Sequence, residues 1–357
     1  MNWRFNRKSM SLEVETGIAF GPTNMAGQAT RWVNSLRDFK GISNCSVFEL
    51  VRAEGVYWDS SESEKIGIES WKSKKEADSR RALISKSFTH VLFEGGMPFS
   101  GSQYGPLCES DVDFFSKMNV SSGVILHGSD IRVPSIHREL NGSESPFIVS
   151  DEWSNSLEIK SMRLMKYLIN NPSLPSFITT TDLFDFVDNS QWLPVTVNLE
   201  LFVPKRQAFS NDEVRVLHLP SKRRIKGSAN VDEIMSKLLR DKRLIYRSLE
   251  GLTQSQVIDS LNWADVVLDQ FGVGGYGVFA SEAMAMNRVV ISRLTSTVTK
   301  NQPDLPIISA STEELPDVIY RLIEDLSYAS DLANKGREYS AKYHSGEMSA
   351  NILQGFL

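Results

Sequence analysis

Two cysteines in 357 residues are too few for a disulfide scaffold. Cys45 and Cys108 belong to no C-x-x-C pair and to no Cys/His spacing that would hold zinc. They are expected as free thiols, which fits a reducing, cytoplasmic setting. No run of about 18 apolar residues occurs, which excludes a transmembrane helix. Arg4, Arg7 and Lys8 precede no apolar stretch, so no secretory leader is expected; a weak peripheral contact with the inner, anionic face of a membrane is the most they offer. Positive charge is short overall. Lys+Arg 39 against Asp+Glu 44 gives −5, which excludes a globally basic nucleic-acid binder. Apolar residues are not in deficit. A hydrophobic fraction of 41% with 23% charged is globular composition, not that of a disordered or collagenous chain. At about 100–200 residues per domain, the length predicts two domains.

Short continuous apolar runs alternate with helical patterns along the chain. In the first half the runs are Thr16–Phe20, Ser46–Val51, Thr89–Phe93, Gly123–His127, Phe177–Thr180 and Leu193–Val197. The charged stretch 60–81 reads as a solvated helix or an insertion. In the second half the runs are Val214–Leu219, Leu244–Tyr246, Val266–Asp269 and Val289–Ser292, with Ile307-Ile308 as a further candidate. Helices are expected at Val231–Leu239, Gln254–Trp263, Val278–Met286, Thr312–Leu326 and Leu332–Tyr343. This is the pattern of parallel sheets covered on both faces. The fold class is α/β, with two doubly wound, Rossmann-like domains facing across a cleft. The break falls at 203–212, giving an acceptor-side domain over 1–203 and a nucleotide-binding domain over 204–335. The last stretch, 336–357, is expected to pack back on the first domain. Ligands in such sheets bind beyond the carboxyl ends of the strands, so the loops there are the places to look.

Two such loops carry chemistry. Gly272-Val-Gly274-Gly275-Tyr276-Gly277 satisfies G-x-G-x-x-G after a strand and before a helix. That fingerprint normally opens its domain, and here only about 80 residues remain, too few for a dinucleotide fold. What survives is close backbone approach and a helix N-terminus, both suited to a phosphate. The second loop is Ser221-Lys222-Arg223-Arg224-Ile225-Lys226-Gly227. From Arg215 to Arg247 there are ten Lys/Arg and three Asp/Glu, a local +7. With Tyr246 as the lone aromatic there, a compact anion such as a diphosphate fits better than a nucleic acid.

Gly275-Tyr276-Gly277 and Glu282-Ala-Met-Ala285 resemble the donor-binding region of glycosyltransferase family 4, which has the two-domain GT-B fold. The family pattern places a glutamate eight positions before the second one, where this chain has Gly274. Lys226-Gly227 resembles the segment that grips the donor pyrophosphate, with Ser221 in the place of an arginine. Asn24-Met25-Ala26-Gly27-Gln28 resembles the glycine loop beneath the donor phosphates, with Ala26 for the first glycine. His127 resembles the histidine lining the sugar site. Val197–Pro204 and Gly336–His344 resemble the interdomain segment and the closing helices.

The resemblance implies transfer, with retention and without a metal or other cofactor, of a hexose from a UDP- or GDP-sugar. The acceptor would be a carbohydrate, a lipid-linked saccharide or a small molecule, as in polysaccharide biosynthesis. Lys226, with Arg223 or Arg224, would neutralise the diphosphate, with His127 positioning the sugar and Glu282 holding the ribose. Ala26, Gly27, Ser221, Gly274, Gly275, Tyr276 and Gly277 would line the donor. Asp269 and Gln270 could replace the hydroxyl contacts of the absent glutamate. Asn24, Gln28, Glu94, Asp130 and Arg132 are acceptor-side candidates, although Asp130 and Arg132 could instead pair with each other. Competing readings are a non-catalytic GT-B partner subunit and an epimerase or phosphorylase on the same fold; a homo-oligomer is left open.

Overall fold

The computed structural model describes residues 15–51 and 62–357, so Arg4, Arg7, Lys8 and positions 60–61 lie outside the described residues. The first sheet contains β1 (Ile18–Gly21), β2 (Cys45–Leu50), β3 (Glu64–Ile66), β4 (His90–Glu94), β5 (Ser121–Leu126), β6 (Ser176–Ile178) and β7 (Gln191–Trp192). Its order is β3-β2-β1-β4-β5-β6-β7, parallel throughout. The second sheet contains β8 (Val214–His218), β9 (Leu244–Ser248), β10 (Val266–Leu268), β11 (Val289–Ser292) and β12 (Ile308–Ser309). Its order is β12-β11-β10-β8-β9, again parallel.

Parallel pairing explains the apolar runs. Helices cover both faces, so β1, β10 and β11 are buried at every position. Each sheet has an apolar cluster on either face; full burial of side chains such as Phe20, Leu36, Val216 or Ile291 contributes about 1.5–3 kcal/mol each.

Strand order locates the functional ends. The first sheet reverses direction of growth between β1 and β4, the second between β8 and β10. Crevices open at such switch points, beyond the strand carboxyl ends. The loops bordering them are 22–27 and 95–98 in the first sheet, and 219–227 and 269–277 in the second. Loop 269–277 and the segments after β8 and β11 meet residues 137–154 and 179–185 of the first half. The carboxyl ends of the two sheets therefore face each other.

The chain crosses between the halves twice. Residues 193–213 lead out of the first sheet, and the turn at His344–Gly346 returns. The crossings are bonded together: Val197 N–H donates to His344 O (2.8 Å) and the His344 Nδ1–H donates to Val195 O (2.8 Å). The helix Leu326–Tyr343 packs on the helix Val278–Ala285 and on β11, whereas Glu347–Phe356 packs on Gln28–Lys40 of the first domain. The expected closing stretch 336–357 is thus divided: its first part packs on the second domain, Tyr343 and His344 reach Trp192 of the first sheet, and the part beyond Gly346 lies on the first domain.

Two strands depart from expectation. The stretch after position 60 supplies β3 before its helices Ile68–Lys72 and Lys74–Ser87. Leu193–Val197 is not a strand: pairing stops at Trp192, and Pro194 has no N–H for a ladder. Among the described residues, no helix is long and apolar enough to cross a membrane.

Candidate functional site

At the second switch point the basic loop ends in the short helix Arg223–Lys226 and Gly227, whose φ of +69° lets the chain turn directly into the helix Ser228–Leu238. This turn buries Lys226, leaving 8% exposed. Its Nζ donates to Asp269 Oδ1, while Asp269 Oδ2 accepts from Gly277 N–H (3.3 Å). Asp269 thus ties the lysine to the start of the helix Val278–Ala285. Beneath them His218 is buried; its Nδ1–H donates to Leu268 O (2.8 Å), so Nε2 accepts from the Ser228 hydroxyl (2.8 Å). Burial, and then the charge of Lys226, lower the His218 pKa.

Glu282 lies one turn into the helix Val278–Ala285, facing the first domain. Its Oε1 accepts from Arg31 Nη2 (3.2 Å), and Arg31 Nη1 also donates to Thr196 O (2.8 Å). Burial raises the Glu282 pKa, against the lowering charge of Arg31.

At the first switch point Glu94 ends β4, with no exposure at all. Thr23 Oγ1 donates to its Oε2 (3.1 Å), and His127 Nε2 stands 3.2 Å from its Oε1 without the alignment of a hydrogen bond. The His127 ring stacks on Trp32, with centroids 6.2 Å apart. Burial raises the Glu94 pKa. For His127 burial alone would lower it, but the carboxylate of Glu94 more than offsets this and the net direction is upward.

Of four residues not singled out in the sequence, Arg31, His137 and Arg293 bond across the two halves and Asp182 faces across them. Arg132 donates to Asp182 Oδ2 through Nε (3.2 Å) and Nη2 (2.5 Å), and Asp182 Oδ1 faces Gly275. His137 Nε2–H donates to Val273 O (3.3 Å) while Nδ1 accepts from Ser145 (2.8 Å). Arg293 donates to Phe271 O (2.8 Å), Gly272 O (2.8 Å) and Asn141 Oδ1 (3.0 Å). Arg31, His137, Asp182 and Arg293 stand alone in the sequence, with no motif around them.

Several expected site residues are engaged elsewhere. Arg223 bonds Asp232 and Glu250 (2.7 Å) of its own domain. Arg224 reaches Asp151 and Pro146 O (2.8 Å) over the Trp153 ring, on the rim. Ser221 is solvent-exposed. The Tyr276 side chain turns into the core, where its hydroxyl accepts from Gln302 (2.7 Å) and lies 3.3 Å from His344 Nε2. Each Asp269 oxygen already accepts one bond, from Lys226 and from Gly277 N–H, and the Gln270 side chain is buried beside it. Gln28 is a structural clasp: its Oε1 accepts from Thr196 N–H (2.6 Å) and its Nε2 donates to Thr196 O (3.2 Å). Asn24 is buried on Thr30 (2.9 Å). Asp130 and Arg132 do not pair; Asp130 accepts from the backbone of His127 (2.9 Å) and Gly128 (2.7 Å) and shapes their turn. Ala26 has the left-handed φ of +53° that the glycine would have eased. Gly27, Gly275 and Gly277 leave backbone at the facing ends.

The chain does carry one Asp-x-Asp, Asp111-Val112-Asp113, which the metal-free expectation passed over. Asp111 is buried, with its carboxylate committed to Arg81 (2.7 Å) and Ser100 N–H (2.9 Å). A groove of about 820 Å³ between Glu109 and Asn171 lies on the outer flank and shares no residue with the site.

No family model and no curated protein matches the chain. Solved structures do match over nearly its whole length. Sucrose-phosphate synthase from Thermosynechococcus elongatus shares 14% identity over 95% of this chain and 98% of that one, with a TM-score of 0.63. HepE of Anabaena, in complex with UDP-glucose, shares 9% over 96% and 100%, with a TM-score of 0.57. An α-glucosyltransferase in complex with UDP and a 13-mer DNA shares 9% over 96% and 98%, with a TM-score of 0.59. Because that neighbour holds DNA, the exclusion of nucleic acid drawn from the charge pattern is unsupported.

Proposed function

From the two-domain GT-B fold of this chain, we propose a glycosyltransferase that takes its sugar from a nucleoside-diphosphate sugar. The observation that carries the reading is the meeting of Lys226, Asp269 and the Gly277 N–H at the second switch point, one helical turn from Glu282. Lys226, oriented by Asp269, neutralises the leaving diphosphate, and backbone N–H groups at Gly275–Gly277 add to it. Glu282 takes the ribose hydroxyls, and His127 positions the sugar from the opposite wall. The bond between the anomeric carbon and the β-phosphate oxygen breaks, its electron pair leaving with the phosphate. The acceptor oxygen bonds to the same carbon, and its proton passes to the departing phosphate. Stabilising charge on that phosphate is the main catalytic contribution. The resemblance to family 4 supports retention of configuration, a hexosyl donor and independence of metal. The neighbours holding UDP-glucose and UDP favour uridine over guanosine.

A thermal-shift screen of UDP, GDP and their sugars tests this. A ligand at about 100 times its Kd should stabilise the protein by about 2.7 kcal/mol. Stabilisation by none of them sinks the reading. Transfer, once found, should survive EDTA. A second reading, a non-catalytic partner subunit, is favoured by Gly274, which carries no side chain where a glutamate is expected. Nucleotide binding without hydrolysis or transfer of any nucleotide sugar, together with stable capture of an active transferase, would decide for it.

A further inference from the structure

A nucleoside diphosphate is multiply charged, yet the cations at this site are matched by carboxylates. Lys226 is held by Asp269 and Arg132 by Asp182. Arg223 and Arg224 are engaged with Asp232, Glu250 and Asp151. One further guanidinium points at the nucleotide wall. Arg31 lies a turn past Gly27 in the helix Gln28–Lys40, as Glu282 lies a turn past Gly277 in the facing helix. The Arg31–Glu282 pair closes at 3.2 Å, with side-chain exposures of 15% and 11%. Arg31 has a second anchor, the Thr196 carbonyl on Nη1, that persists if Nη2 lets go.

We propose that Arg31 is the second cation of the nucleotide site: on entry of a nucleoside diphosphate, Glu282 exchanges the guanidinium for ribose hydroxyls and Arg31 turns to the diphosphate. This rests on the reading of the site as one for nucleoside diphosphates. The exchange keeps both buried charges compensated only when ribose and phosphate arrive on one molecule. A nucleoside alone would strip Arg31 of its anion; pyrophosphate alone would leave Glu282 without a donor. An unpaired buried charge is strongly unfavourable, so the pair selects for the intact nucleotide.

Calorimetric titration of the full chain with UDP, uridine, GDP and guanosine tests this, with melting temperatures confirming that each variant is folded. In the wild type the diphosphate should bind more tightly than its nucleoside. Arg31→Gln should shrink that advantage by about 10- to 100-fold, the loss expected for a charge-assisted bond to phosphate. Arg31→Lys should retain part of it, and remains informative if the Gln variant does not fold. If Arg31→Gln binds the diphosphate as tightly as the wild type, or more tightly, Arg31 only latches Glu282 and the proposal is overturned while the nucleotide site stands. If the wild type binds neither UDP nor GDP, the nucleotide reading itself fails and takes this proposal with it.

Discussion

Restoring the glutamate that the family pattern places at position 274 should damage the protein. Gly274 has φ +79°, and a Cβ there would lie 2.5 Å from Thr295 Cγ2 and 3.1 Å from Arg293 Nη2. Clearing that contact requires the Thr295 side chain to rotate or Arg293 to give up its bonds. Thr295 N–H is bonded to Gly274 O (2.8 Å), and Arg293 is fixed by bonds to Phe271 O (2.8 Å) and Gly272 O (2.8 Å). A left-handed conformation costs an L-residue about 1–2 kcal/mol. Overpacking adds about 1–3 kcal/mol, so Gly274→Ala should lose about 2–5 kcal/mol and Gly274→Glu no less. Urea unfolding followed by circular dichroism reads this as a lower midpoint at unchanged slope. Gly277→Ala is the internal control: its φ is −126° and a Cβ there meets nothing within 4 Å, so it should stay within about 0.5 kcal/mol of wild type. A Gly274→Ala midpoint equal to that of Gly277→Ala would refute the reasoning. The loop is thus rebuilt around a missing side chain, and one substitution does not recover the family's contact.

Lys226→Ala leaves the fully buried Asp269 carboxylate unpaired and should destabilise by about 3–5 kcal/mol; Lys226→Met with Asp269→Asn should lose far less, while both abolish diphosphate binding in calorimetry. Gln28→Ala removes both bonds to Thr196 and should cost about 1–3 kcal/mol in urea unfolding, with UDP affinity unchanged. Burial lowers the pKa of His137 and of His344 to about 4. Below about pH 6.5 the unfolded chain takes up protons that these buried rings refuse, so each removes about 1.4 kcal/mol of stability per pH unit as pH falls toward 4. Glu94 and Glu282, whose pKa values are raised, act in the opposite sense. The diagnostic is therefore a difference: His344→Gln should flatten the slope of unfolding free energy against pH by about that amount, and an unchanged slope would contradict the assignment.

The strands buried on both faces were legible because a fully covered parallel strand must be apolar at every position, as in Val289–Ser292. Edge strands obey no such rule: β3 is Glu64-Lys65-Ile66, with a single buried position. Leu193, Val195 and Val197 read as a strand because all three are buried, yet they serve the crossing between domains, where Pro194 and Trp32 meet through an indole N–H bond (3.0 Å). Lys226 stood out in the sequence because Gly227 beside it marks a turn, and Glu282 because Glu282-Ala-Met-Ala285 carries the resemblance. That Arg223 and Arg224 pair with Asp232, Glu250 and Asp151 was not legible, because charge density does not show which way a side chain turns. Arg31 pairs with Glu282, 251 residues away, and Asp182 with Arg132, 50 residues away, and local pattern carries no trace of such pairs.

The two crossings between the halves run side by side and are bonded through His344 to Val195 and Val197. Two adjacent, mutually bonded tethers behave as a door hinge rather than a ball joint: they permit swing about one axis and resist twist. Opening along that axis must part the Arg31–Glu282, Arg224–Asp151 and His137–Val273 contacts in one movement. Those contacts, scattered along the sequence, therefore oppose that swing together.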